Sequence, residues 1–185
     1  MQKIKNLAYL KNGSQLFFLS KIDTLRHFIA ISGSNFPVPK FIKQVLNQNL
    51  HGFGRTDMII VSPTEFLSAA QDLKLLHQNE GLEVVLVTDE EIYNEFSGGL
   101  PDATAIKQFL RMFYVRENGN PNTIPKYCLL FGDGTYDNRN ILGHNKNLWP
   151  IFESSESVCV VNTYASDDYF AILSDGASMQ NTDFL

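Results

Sequence analysis

Three short apolar runs, Met58-Ile59-Ile60-Val61, Leu82 to Val87 and Tyr127-Cys128-Leu129-Leu130-Phe131, leave this chain little freedom. None is long enough for a buried helix, and each predicts a strand, with Met58 to Val61 apolar on both faces in the manner of a parallel sheet. Helical segments separate them. In the first connection Ser62 is a candidate cap, Pro63 takes the first helical position and Glu65 stands three after Ser62. Phe66, Ala69, Ala70, Leu73 and Leu76 then recur at helical spacing, and Asn79-Glu80-Gly81 supplies the stop. The second connection predicts a short helix over Asp89 to Phe96 and a break at Ser97 to Pro101. A second helix follows, capped by Asp102, with Ile106, Phe109, Leu110, Phe113 and Tyr114 on its apolar face. A β-α-β-α-β order folds as a mainly parallel sheet between helical layers, an α/β three-layer sandwich.

Residues 1–53 differ in texture and predict the end of a small β-rich module plus a linker. Asn12-Gly13 marks a hairpin turn between Asn6–Leu10 and Gln15–Leu19, and His27 to Ile31 reads as a further strand. Phe41 to Leu46 reads as a short helical or extended connection. The α/β region is residues 54–185. Beyond Asn138 the chain turns polar and irregular. Val158 to Val161 is a strand or extended segment, and Ser174-Asp175-Gly176-Ala177 a turn.

The third strand stops at Gly132-Asp133-Gly134, where glycines permit backbone angles a side chain would forbid. Ligands of open α/β sheets collect at this carboxyl edge. Asp133 and Asp137 stand in the loop, and Asp167 and Asp168 in an aromatic segment downstream. If the loops converge, these four carboxylates are candidate ligands for calcium, which takes oxygen donors; equally, aspartates cap turns by binding backbone amides. No phosphate-loop pattern and no dinucleotide fingerprint is present. That ranks a flavodoxin-like small-molecule binder last.

Other chemistry is sparse. Cys128 and Cys159 both sit in apolar runs, where the thiol of a small buried residue is inert. His27 and His51 lack partners at metal spacing and read as surface or packing residues. Pairing His144 with Cys159 is the one nucleophile–base combination left, and neither residue has a supporting motif. A net charge of −5 without a basic cluster excludes nucleic acid as partner. No apolar stretch approaches the ~20 residues of a bilayer-spanning helix.

Several segments together resemble the gingipain-like cysteine peptidases of clan CD. They are Asp57-Met58-Ile59-Ile60-Val61-Ser62-Pro63, Gly81-Leu82-Glu83-Val84 and Ala105-Ile106-Lys107-Gln108-Phe109-Leu110. The likeness is strongest in Tyr127 to Asp137 (YCLLFGDGTYD), and Thr163 to Phe170 (TYASDDYF) completes it. It covers about residues 54–185, and within the family it leans to the C-terminal signal peptidases (sortases) of the type IX secretion system. It implies a caspase-like sheet in two subdomains, peptide or protein substrates, no required cofactor, and a home at the cell surface or outer membrane of a Bacteroidetes-type bacterium. The family's His-Gly and Ala-Cys motifs do not occur here. The resemblance therefore implies no catalytic residue in this chain, which would be the first subdomain of a longer protein, with the dyad on a following catalytic subdomain. The end of the sequence at Asp183-Phe184-Leu185, where an apolar element starts, agrees with a piece of a longer chain. Asp133, Asp137, Asp167 and Asp168 then become candidates for the substrate-side loops. The competing reading is a non-catalytic α/β domain of a surface protein that binds calcium or a partner.

Overall fold

A computed structural model describes residues 6–21, 23–31, 33, 36–135, 137–141, 143, 147–153 and 165–177. The chain divides into two compact units, Met1–Lys43 and Gln44–Leu185. In the first, β1 (Tyr9–Asn12) and β2 (Gln15–Phe18) form an antiparallel hairpin in which Asn12 faces Gln15. The two-residue loop is therefore Gly13-Ser14, and Gly13 takes the positive φ of 60° that the tight turn needs. His27–Ile31 is not a strand. Among the described residues its backbone finds no ladder partner, Ile29 is 85% exposed, and Phe28 instead leans on Phe18 with ring centroids 4.9 Å apart. Of the two forms expected for the connection over Phe41–Leu46, helical or extended, the helical one does not occur.

The second unit is built on β3 (Met58–Ser62), flanked by β4 (Val84–Thr88) and β5 (Tyr127–Leu130) in the order β4-β3-β5, all parallel. Every residue of β3 is buried. Because side chains alternate across a strand, Ile59 and Val61 enter one core while Met58 and Ile60 enter another. On the Met58 and Ile60 face lies α1 (Leu67–Asn79), contributing Ala70 and Leu73. On the opposite face lie α2 (Asp89–Phe96) and α3 (Ala103–Arg116), which bring Ile92, Ile106, Phe109, Leu110 and Phe113. This is the expected three-layer α/β sandwich with a parallel sheet. Burying side chains such as Ile59, Ile60 and Val61 stabilises it by about 1.5–3 kcal/mol each.

Local chemistry sets the element ends. Ser62 does not cap α1. Pairing with Thr88 draws it into the sheet, where its buried hydroxyl donates to the Pro63 carbonyl at 3.0 Å. A 3-10 turn over Thr64–Phe66 fills the gap before Leu67. At the other end Gly81, with φ of 92°, completes a Schellman stop: its amide donates to Gln78 and that of Leu82 to His77. Thr88 and Glu91 form a reciprocal capping box on α2, and Asp102 caps α3 by accepting from the Thr104 amide at 2.8 Å.

Thr56 and Asp57 seal the amino end of the sheet. The Thr56 hydroxyl donates to the Glu83 carbonyl, and the Asp57 carboxylate and backbone bind Glu83 and Lys126. Hydrogen bonding from the Glu83 amide lowers the Asp57 pKa. The loops are thereby left to the carboxyl edge. No helix among the described residues is long and apolar enough to cross a membrane.

Candidate functional site

At the carboxyl edge, the chain leaving β5 turns through Gly132, whose φ of 150° is one L side chains rarely adopt. A Cβ at Gly132 would sit 2.8 Å from Trp149 Nε1, and one at Gly134 would sit 2.2 Å from Ile151 Cγ2. Both glycines are thus needed, Gly134 purely for close approach. Gly134 bridges Trp149, the Leu148 amide donates to the Asp133 carbonyl, and the Thr135 amide donates to Asn147 Oδ1 at 2.8 Å. Asn138 is the hub of the loop. Its Nδ2 donates to the Ile151 carbonyl and to Glu153 Oε1, and its Oδ1 accepts from the Ile151 amide and Asn147 Nδ2.

Downstream, β6 (Phe152–Glu153) pairs antiparallel with β7 (Ala165–Ser166), and a 3-10 helix follows over Asp167–Ala171. That helix is anchored on α3: Phe170 is buried and the Tyr169 hydroxyl meets Thr104 Oγ1 at 3.2 Å. Lys107 Nζ lies 4.4 Å from the Tyr169 ring centroid, and Phe152 stacks on the same ring at 4.6 Å. Arg111 then holds Asp175 at 2.8 Å, within the turn expected at Ser174–Ala177.

The four aspartates singled out by sequence lie in these two loops. Asp133 is exposed, and Asp137 accepts the Ile141 amide at 2.9 Å. Asp167 and Asp168 are exposed in the first turn of the 3-10 helix, with Asp168 exchanging hydrogen bonds with Ser166. Among the described residues no three His, Cys, Asp or Glu side chains gather as a metal would require. His144, Cys159 and the Val158–Val161 segment lie outside the described residues.

Cys128 is a β5 residue packed against the core of Phe109 and Val61. Burial pushes its thiol up to about 12, and the Asp167 carboxylate adds to the effect. Such a thiol is protonated at neutral pH and a poor nucleophile. His51 packs as the sequence suggested, stacked on Phe96 with centroids 4.9 Å apart, and also pairs with Glu95. Burial alone would raise the Glu95 carboxyl. The amides of Leu50 and His51, the His51 ring and Gln48 outweigh it and hold the group at about 2.

Sequence reasoning missed one part of this edge. A cleft of about 490 Å³ opens between the starts of α2 and α3 and the loop after β5. Asp89, Tyr93 and Asp102 line it on the helical side, and Asn138, Arg139 and Leu148 on the loop side. Tyr93 is 5% exposed and its hydroxyl is buried without a hydrogen-bond partner. An unpartnered buried hydroxyl costs about 1–3 kcal/mol, so phenylalanine would be the cheaper residue there. Desolvation raises the Tyr93 pKa, with further contributions from Asp89 and Asp102. Burial likewise raises the Asp89 carboxyl. The available signal was Asp89, directly after strand β4 at the edge where such sheets bind ligands, with Tyr93 one helical turn on.

The model of peptidase family C25 matches residues 52–184. No curated protein matches the chain. Among solved structures, the crystal structure of dimeric latent PorU from Porphyromonas gingivalis is similar, with 41% identity and a TM-score of 0.63. The match covers 74% of this chain and 14% of that one, so the chain spans a small part of the length of its structural relative. A family match over most of the α/β unit, on a sheet of the expected order, places the chain in peptidase family C25, the gingipain-like cysteine peptidases.

Proposed function

We propose that this chain is the non-catalytic N-terminal portion of a gingipain-like cysteine endopeptidase, one that processes secreted proteins of the type IX system at the cell surface. The family match over residues 52–184 supports the peptidase part. The observation that carries the non-catalytic part is the state of Cys128, the one cysteine among the described residues: a half-buried β5 side chain packed against the core, with its pKa up to about 12. In the parent, a thiolate activated by a histidine on a separate catalytic subdomain attacks the peptide carbonyl, and backbone amides stabilise the oxyanion. This chain supplies the sheet against which that subdomain assembles. The loops bearing Asp133, Asp137, Asp167 and Asp168 contribute to the substrate side.

The test compares peptide hydrolysis by the 185-residue chain and by the longer natural protein, each with and without a thiol-alkylating reagent. Activity confined to the longer protein and abolished by alkylation is the expected result. Thiol-dependent hydrolysis by the 185-residue chain itself overturns the non-catalytic assignment. Absence of hydrolysis in both removes the peptidase reading.

A further inference from the structure

Asn-Gly occurs twice in the chain, at Asn12-Gly13 and at Asn118-Gly119. Glycine has no side chain to shield its own backbone nitrogen, so an asparagine before it is open to attack by that nitrogen. The attack needs a nitrogen free to release its proton and a backbone free to bring it onto the asparagine Cγ. The fold treats the two pairs in opposite ways.

At Asn118-Gly119 both freedoms are denied. φ angles of 50° and 68° wind the pair into the stop after α3, where the Asn118 amide donates to the Val115 carbonyl. The Gly119 amide donates to the Tyr114 carbonyl at 2.9 Å, and the Tyr114 ring lies so close that a Cβ on Gly119 would sit 2.7 Å from its hydroxyl. Asn12-Gly13 lies instead at the tip of the β1–β2 hairpin, with both residues exposed. Among the described residues the Gly13 amide has no acceptor and the Asn12 side chain no partner, and the space a Gly13 side chain would take is empty within 4 Å. A sheet of only two strands is marginally stable, so this turn opens readily.

We infer that Asn12 is a self-modification site, whose side-chain amide is lost first to the Gly13 nitrogen and then to water. The Gly13 nitrogen bonds to Asn12 Cγ, its proton leaves with the side-chain nitrogen as ammonia, and a succinimide ring closes. Water then adds its hydroxyl to one of the two ring carbonyls and its proton to the ring nitrogen. Opening at Cγ restores the ordinary backbone and leaves aspartate. Opening at the main-chain carbonyl leaves isoaspartate, with the backbone running through Cβ and Cγ. Either product adds one negative charge to the net −5. Isoaspartate also inserts one backbone atom between Asn12 and its pairing partner Gln15, which a two-residue turn does not accommodate without breaking the register. The damage stays within the unit Met1–Lys43. Asp133-Gly134 and Asp175-Gly176 present a carboxylate in place of the amide, a poorer electrophile. Nothing in this chemistry depends on the peptidase assignment.

The experiment ages the 185-residue chain in mildly alkaline buffer, with a parallel sample in urea, and follows the peptides holding Asn12 and Asn118 by mass spectrometry. In the folded chain Asn12 is expected to convert about tenfold faster than Asn118, because the Gly119 amide must first lose its hydrogen bond. In urea the two rates are expected to be comparable. Asn12→Gln, which closes its ring far more slowly, is expected to abolish the early conversion and leave the urea unfolding midpoint unchanged. Chains carrying isoaspartate at this position are expected to lose the cross-strand amide contacts of β1 and β2. Equal rates in the folded chain, faster conversion at Asn118, or a difference that persists in urea overturns the inference. Intact cross-strand contacts in the isoaspartate form overturn the loss of register.

Discussion

Glu95 shows how much one side chain can organise. Its carboxylate gathers the amides of Leu50 and His51, the His51 ring and the Gln48 amide group, and so fastens the segment before β3 to α2. Its pKa in the folded chain is about 2 against an ordinary 4.5. Because the folded value is depressed, the associated stability is present above about 4.5 and is lost as pH falls toward about 2. Glu95→Gln is expected to lower stability at neutral pH by about 1–2 kcal/mol and to flatten this acid dependence. Urea unfolding at pH 7 and pH 3 checks both statements. No sequence pattern hints at the pairing, since Glu95 follows His51 by 44 residues and the spacing matches no motif. The glycines beside Asp133 were legible as special but only half explained. Gly132 does adopt an angle that favours glycine, whereas Gly134 is excluded from larger residues by Ile151 and Trp149, contacts that depend on how a distant stretch folds back.

Among the elements, α3 contributes the most buried residues to the larger core. Phe109 is fully buried, and its ring meets those of Phe53, Phe96 and Phe113 with centroids 6.4, 5.7 and 5.4 Å away. Phe109→Ala opens a cavity at this junction and is expected to cost about 3–5 kcal/mol, read as a lowered urea midpoint. This face was legible from periodicity alone, because Ile106, Phe109, Leu110 and Phe113 recur as a helix demands and all four are buried. Asp102 was equally legible as a cap. The start of α1 was not: strand pairing claimed Ser62, and a sheet register outweighs a local capping preference. Asn138 escaped notice for a related reason. Its four hydrogen bonds reach Asn147, Ile151 and Glu153, and nothing in a polar irregular stretch marks which amide will find them. In sequence Asp89 and Tyr93 are parts of a short helix and no more, and only the folded loop forms the cleft they share.

For the molecule as a whole, every buried apolar side chain of the described cores lies after Lys43, beginning with Leu50. The hairpin unit instead leaves Tyr9, Leu10 and Leu19 at 64%, 76% and 95% exposure. A chain beginning at Gln44 is therefore expected to unfold cooperatively at the same urea midpoint as the 185-residue chain; a lower midpoint would show that the α/β unit draws stability from the residues before it. The alternating order of strands and helices made the α/β unit readable, because a sheet buried on both faces writes itself into unbroken apolar runs. His27–Ile31 failed as a strand since propensity without a pairing partner does not make a ladder. One further property follows from the turn after β5. Trp149, the only tryptophan in the chain, is 2% exposed and lies against Gly132 and Gly134. Indole emission from this protein therefore has a single origin, at the edge of the sheet where the loops meet, and its colour reports on that edge without any added label.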